Sequence, residues 1–314
     1  MKNYSRGGAL KIRDGIIGLV VGDALGVPVE FMGRDELSGN PVTGMRGHGT
    51  HDMPKGTWSD DSSLALATMQ SITNKKGIDF EDLLRQFSLF INEGKYTQYC
   101  TFGYGNTTGS AVERFESGVE ALKCGGTDES ETTNGSLMRI LPMAFIDNAD
   151  YGEIERVSAI THAHERCRIA CVLYVEIARS MICEDMEISD HIERSCAKIR
   201  QLYRQSDELS RFSRIFDNDL DEVESGFYVV ETLECAIHCL LTTSSYREAV
   251  LKAVNLGNDT DTVAAITGGL AGIHYGLEDI PREWICDIPQ IGDVFRMCDD
   301  YGKMLEGEKC GLKG

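Results

Sequence analysis

Proline is scarce in this 314-residue chain, with six in all, and no Pro/Ser/Gly-rich stretch separates one half from the other. A conventional interdomain linker is thereby excluded, and residues 1–314 are expected to form a single domain. Basic residues are also few: 31 Lys and Arg stand against 50 Asp and Glu, for a formal net charge of -19. That balance argues against a nucleic-acid footprint or an anionic membrane surface as partner and favours a cationic one. No run approaches the ~20 apolar residues of a membrane span. The start "MKNYSRGGALKIRDG" is polar and lacks the apolar middle of a secretory signal. None of the eleven cysteines falls in a CxxC, so free thiols in a reducing, cytoplasmic compartment are expected. Cys167/Cys171 and Cys235/Cys239 sit four apart, a spacing that suits small buried residues on helices. A P-loop is absent, and "GYGNTTG" from Gly103 has one residue too many for GxGxxG.

Alternating strand patterns are scarce as well, whereas helical periodicity is present wherever it can be measured. Tyr246, Ala249, Val250, Ala253 and Val254 fall at i, i+3, i+4, i+7 and i+8, one buried stripe. An all-α fold is the reading. Two glycine-rich stretches resemble each other, "GIIGLVVGDALG" from Gly15 and "ITGGLAGIHYG" from Ile266. Missing side chains there allow helices to approach closely, although two similar stretches are too few for a repeat architecture. The densely charged stretch 184–224 reads as solvated helices and an exposed loop.

Two acidic clusters carry the chemistry. In "KGTWSDDSSLALA", Ser59 is placed to cap a helix that opens with Asp60 and Asp61, where the helix dipole favours each acid by ~0.3–1 kcal/mol. Taken alone, that is a helix cap. In "NLGNDTDTVAAITGGLAG" a helix is expected to end at Leu256, turn through Gly257 and Asn258, and present Asp259, Asp261 and Thr262 at the next helix start. The turn chemistry is already supplied, so two further acids exceed what capping needs. Together the clusters give four carboxylates and two hydroxyls, the all-oxygen set that hard divalent cations require. Such a set could hold two Mg²⁺ or Mn²⁺ ions ~3.5–4 Å apart.

Three alternatives fit less well. Val263 occupies a ligand position of an EF-hand begun at Asp259, and the glycine of loop position six is missing. "DNDLDE" from Asp217 has Glu222 where that glycine belongs and reads as a solvated loop. A zinc site from His162, His164 and Cys167 would put the two histidines about 200° apart on one helix, unable to share an ion.

Six segments in order, "GLVVGDALGVPVEF", "KGTWSDDSS", "GYGNTT", "NGSLMRILP", "THAHE" and "NLGNDTDTVAAITGGLAGIHYG", together resemble the ADP-ribosylglycohydrolases, including the dinitrogenase reductase-activating branch. The resemblance covers most of the chain. It implies a compact multi-helix all-α fold with a dinuclear Mg²⁺ or Mn²⁺ centre at the base of a cleft, with Ser59, Asp60, Asp61, Asp259, Asp261 and Thr262 as metal ligands. Ser59 stands where the family usually has threonine, and its hydroxyl preserves the donor. Glu30, after "GDALGVPV", becomes a site acid near the metals and ribose, whereas Asp23 is left to packing or a helix end.

The implied reaction is hydrolysis of the bond from the anomeric carbon of ADP-ribose to a protein side chain, expected to be arginine. The transition state is oxocarbenium-like. Asp60, Asp61, Asp259 and Asp261 would position the ions, and Asp261 or Glu30 would move the proton. Backbone N–H groups in the turns at Gly103, Gly105, Asn106 and Thr107 and at Asn134, Gly135 and Ser136 would receive the pyrophosphate. His162 would contact ribose or phosphate, with a satisfied core histidine as the plainer reading. A monomer acting on an ADP-ribosylated protein is expected. Serine-linked, polymeric or small-molecule conjugates remain open as substrates, as does a non-catalytic binding or structural member of the family.

Overall fold

A computed structural model describes residues 4–311. Among them the helices are α1 (Tyr4–Gly26), α2 (Arg34–Gly39), α3 (Asp60–Lys75), α4 (Phe80–Glu93), α5 (Asn106–Glu116), α6 (Tyr151–Ala159) and α7 (Glu165–Cys183). There follow α8 (Ile188–Leu202), α9 (Ser213–Asp217), α10 (Val229–Leu241), α11 (Tyr246–Val254), α12 (Thr260–Tyr275), α13 (Arg282–Asp287) and α14 (Ile291–Gly311). Extended pairing among the described residues is confined to isolated bridges such as Gly126 with His162 and Thr133 with Tyr228. The all-α expectation holds. The stripe read from Tyr246 to Val254 is the buried face of α11, although that helix ends at Val254, two residues before the expected Leu256. No helix among the described residues is long and apolar enough to cross a membrane.

The two glycine-rich stretches are the centre of the fold. They lie on α1 and α12, which pack antiparallel. A Cβ on Gly18 would stand 2.3 Å from the Gly268 carbonyl oxygen, and one on Gly22 2.1 Å from that of Ala264. The backbones are therefore in direct contact, and any side chain would force them apart. At such a crossing, helix carbonyls become available to buried hydroxyls: Tyr246 donates to Gly18 O at 2.7 Å and Tyr174 to Ile266 O at 3.1 Å. The ladder ends at Gly26, where a Cβ would lie 2.4 Å from the Asp261 Cα. Thr260 locks that end by donating to Gly26 O at 2.9 Å. Close packing of α1 thus delivers the N-terminus of α12, with its acids, to the C-terminal end of α1.

The cysteine pairs are buried free thiols, Cys167/Cys171 on α7 and Cys235/Cys239 on α10. The charged stretch 184–224 forms α8, a 3-10 turn at Asp207–Phe212 and α9, laced by surface pairs such as Arg200 with Asp217.

Candidate active site

Three chain segments meet at the site: the end of α1, the start of α3 and the start of α12. Ser59 is the N-cap of α3, accepting from Asp61 N at 3.2 Å, as its position in the sequence requires. Two more N–H groups at that helix end point at Asp23, which accepts from Ser59 N at 2.9 Å, Ser62 N at 2.9 Å and the Ser62 hydroxyl at 2.6 Å. A carboxylate on α1 therefore caps α3 from outside, fixing where Asp60 and Asp61 stand. The distant clusters join at Asp61, whose Oδ2 accepts from Ser59 at 2.9 Å and from Thr262 at 3.3 Å. Asp259 is oriented by Asn134, which donates to it at 2.5 Å and to Thr232 at 2.9 Å. Asp261 accepts from Thr262 N at 3.0 Å.

Glu30 completes the group. Its carboxylate is bonded to His51 Nε2, and its carbonyl accepts from Thr50 at 2.6 Å. Asp23, Asp61 and Asp261 can bring one oxygen each to within 4.8 Å of one another, and so can Glu30, Asp259 and Asp261. On the other side Gly103, at φ 91°, lies against Asp60, and a Cβ there would fall 2.3 Å from Oδ1.

All six carboxylates are buried, and among the described residues no lysine or arginine lies within ion-pairing distance of any of them. Burial, with mutual repulsion added, holds Asp60, Asp61 and Asp261 well above the usual carboxylate range. Burial likewise pushes Asp259 up to about 7 against the Asn134 hydrogen bond, and Asp23 up to about 6 against those from Ser62 and Ser59. Asp61 Oδ1 is buried with no hydrogen-bond partner. Buried carboxylates without a counter-charge are costly. An orphaned oxygen among acids from three segments fits a divalent cation, and Ser59 and Thr262 supply neutral oxygens of the kind such ions accept.

A family model for the ADP-ribosylglycohydrolases matches residues 8–309. The chain belongs to the ADP-ribosylglycohydrolase family. It is 30% identical to the ADP-ribosylarginine hydrolase Tri1 of Serratia proteamaculans, over 95% of this chain and 80% of that one. To the ADP-ribosyl-[dinitrogen reductase] glycohydrolase of Rhodospirillum rubrum it is 27% identical, over 86% and 87% of the two chains. A solved structure described as an ADP-ribosylglycohydrolase-related protein complex superposes with a TM-score of 0.82 at 26% identity, covering 96% of this chain and 99% of that one. The glycohydrolase is thus an enzyme of ADP-ribosyl chemistry.

The expected substrate contacts of this glycohydrolase divide. Gly103, Gly105 and Asn106 form an exposed turn into α5, whose N-cap Gly105 offers no side-chain acceptor to the first N–H groups, with Thr107 buried just behind. The turn at Asn134 is different. The Asn134 N–H donates to Phe227 O at 3.0 Å and its amide serves Asp259. Ser136 is fully buried against Ser158 and Cys171. Gly135 alone of the three is partly exposed.

His162, one of the expected contacts, lies in the core at 1% exposure. Thr133 and Thr161 occupy its two nitrogens at 2.9 and 2.8 Å. Burial and the nearby Arg139 charge push it down to about 3, so it is neutral. It supports Gly135, where a Cβ would meet its ring at 2.9 Å. Among the described residues His162, His164 and Cys167 are not brought together as a ligand group, and the two histidines do not share a helix as expected, since both precede α7. His164 caps α7, and Arg166 fills the space between Glu129 and Glu208.

Sequence reasoning passed over Asp23 and His51. The "GD" before "ALG" was visible, but its partner Ser62 lies 39 residues away.

Proposed function

We propose that the chain is a divalent-metal-dependent hydrolase that removes ADP-ribose from an arginine side chain of a modified protein. The observation that carries this reading is the group of six buried carboxylates, drawn from three segments, with no lysine or arginine beside it. Similarity to a protein named as an ADP-ribosylarginine hydrolase supports arginine as the linkage. Ser59, Asp60, Asp61, Asp259, Asp261 and Thr262 would hold two Mg²⁺ or Mn²⁺ ions. When bound, such ions polarise ribose hydroxyls and water and offset the charge of the acids.

The residues of the chain do the rest. Asp23 and Asn134 fix the two acidic helix starts, so the ligand oxygens need little rearrangement on loading. In the overall step the bond from the anomeric carbon to the guanidine nitrogen breaks, a water oxygen joins that carbon, and a proton ends on the departing guanidine. Glu30 is the carboxylate suited to carry the proton, because it alone of the six is bonded to a titratable nitrogen, that of His51. The open N-terminus of α5 would offer backbone N–H groups to an anion, a way for an acidic protein to accept a pyrophosphate.

Release of ADP-ribose from arginine-, serine- and polymer-linked substrates, with and without Mg²⁺ or Mn²⁺, tests the reading. Metal-dependent release from arginine alone is expected. Turnover unaffected by chelation, or release only from another linkage, would refute it.

A further inference from the structure

Beside the carboxylates lies a cavity of about 510 Å³ lined by Phe31, Arg34, Glu224, Phe227, Glu231 and Asn258, together with Val223, Ser225 and Gly226. It shares a wall with the site. Phe31 follows Glu30, Asn258 precedes Asp259, and the Phe227 carbonyl receives the Asn134 N–H. Two large aromatic rings stand in solvent at its mouth, Phe31 at 58% and Phe227 at 47% exposure, with centroids 6.0 Å apart. Phe31 is held there at φ 68°, a conformation a bulky side chain rarely adopts. Bonds from Phe31 N to Asn258 O at 2.7 Å and from Asn258 N to Met32 O at 2.8 Å keep it in place. A strained backbone that presents an aromatic ring to water points to recognition.

The charge of the cavity is negative. Glu231 is half-buried, and its carboxyl meets no hydrogen-bond donor or ion-pair partner among the described residues. Burial, and next the negative charge of Glu224, raise it above its ordinary range. Arg214, the cation that acts on it, is bonded to Glu234 and to the Asp219 and Glu222 carbonyls. Arg34 directs its guanidinium at the Leu256 and Val223 carbonyls, at 3.1 and 2.7 Å. Ser225 also ties this wall to the loop before α12, donating to Gly257 O at 2.6 Å. Two carboxylates and two aromatic faces around one anchored cavity make a receptor for a guanidinium or ammonium group.

We infer that this cavity binds a second cationic side chain of the protein substrate, an arginine or lysine flanking the ADP-ribosylated residue. The inference rests on the proposed reading of the site as a protein de-ADP-ribosylase, and it makes the enzyme selective for basic sequence around the modification.

The test uses the full chain and labelled, unmodified peptides carrying arginine or lysine, compared by fluorescence anisotropy with alanine- and glutamate-substituted versions. The basic peptide should bind about 5–10-fold more tightly than the alanine version, with the preference weakening as salt is added. Glu224→Gln with Glu231→Gln should abolish the preference, and Phe227→Ala should reduce it, with ADP-ribose affinity unchanged as the control for folding. Equal binding of all peptides, or a preference for the acidic one through Arg34, would overturn the inference. ADP-ribose release is measured separately. A basic preference without turnover would count against the proposed reaction alone, and turnover without a preference against the cavity alone.

Discussion

Without divalent ions the protein should lose stability as pH rises above 6.5, and divalent ions should reverse the loss. The sign follows from the aspartates. Asp259, at about 7 in the fold against 3.8 unfolded, holds a proton near neutrality that the unfolded chain has released. Asp60, Asp61 and Asp261 are displaced in the same direction. A raised carboxyl stabilises the fold below its unfolded pKa, and that contribution disappears as pH climbs through the folded value. Each proton retained costs ~1.4 kcal/mol per pH unit. Between pH 6.5 and 8.5 Asp259 gives up most of one proton, worth about 1 kcal/mol, or on the order of 2 °C in Tm for a chain of this size, and the other three act in the same direction. Below pH 6.5 the buried histidines oppose the trend. His162, pushed down to about 3, contributes stability present above 6.5 and lost as pH falls. Above pH 6.5 the histidine contribution no longer changes, so the metal-free curve should fall from there as Asp259 ionises near 7. Differential scanning fluorimetry in EDTA across pH 5–8.5 measures it, with Mg²⁺ or Mn²⁺ added in parallel. Ions at 100 times their Kd restore about 3 kcal/mol, most at high pH where the acids are ionised, and Asp259→Asn should flatten the alkaline limb. A Tm in EDTA that rises from pH 6.5 to 8.5, or a metal gain independent of pH, would refute the reasoning.

Asp60→Asn or Asp261→Asn should abolish metal-dependent ADP-ribose release while raising the Tm of the metal-free protein, since each removes a buried repulsive charge; unchanged turnover in the release assay would sink the ligand assignment. Asp23→Asn leaves the proposed metal ligands in place but loosens the start of α3, so divalent affinity by calorimetry should fall about 10–100-fold. Gly22→Val places a branched side chain where Ala264 O is 2.1 Å from a Cβ position. It should destabilise by more than the ~1–3 kcal/mol of ordinary overpacking, seen as loss of soluble protein or a lower denaturant midpoint. His162→Gln should cost about 1–3 kcal/mol by leaving a threonine hydroxyl unpaired, with KM for the substrate unchanged; a raised KM would restore it as a contact.

What could be read from the sequence followed from local chemistry. Ser59 caps the helix its position announced, and Asp259, Asp261 and Thr262 open the helix expected after the Gly257 turn. The glycines of α1 and α12 signalled close approach, but nothing local said that they approach each other, antiparallel, from Gly18 at Gly268 to Gly26 at Asp261. That single fact of register decides the rest. It turns Asp23 from a helix-end residue into the outside cap of α3. The role of His51 was equally hidden, because a histidine in a short 3-10 turn carries no periodic signal until Glu30 is seen against it. His162 shows the converse: the motif marked the position, but its packing against Gly135 and its bonds to Thr133 and Thr161 carry no local signal.

The site is also where local preference and global stability disagree. Capping favours an acid or two at each helix start, and each of α3 and α12 satisfies that preference separately. Conflict arises only when the α1–α12 contact brings the two starts together and buries them, because charges favourable one helix at a time become mutually repulsive four at a time, with Asp23 and Glu30 added. A fold under selection for stability alone would relieve this with one substitution, Asp61→Asn for instance, at an oxygen that already lacks a partner. The arrangement instead surrounds the acids with residues that hold them in place, Asp23, Asn134, Ser59 and Thr262, rather than with cations that would neutralise them. Holding like charges rigidly together is favourable only if the missing positive charge arrives from solution, and the unrelieved repulsion is therefore the feature that the proposed metal loading would offset.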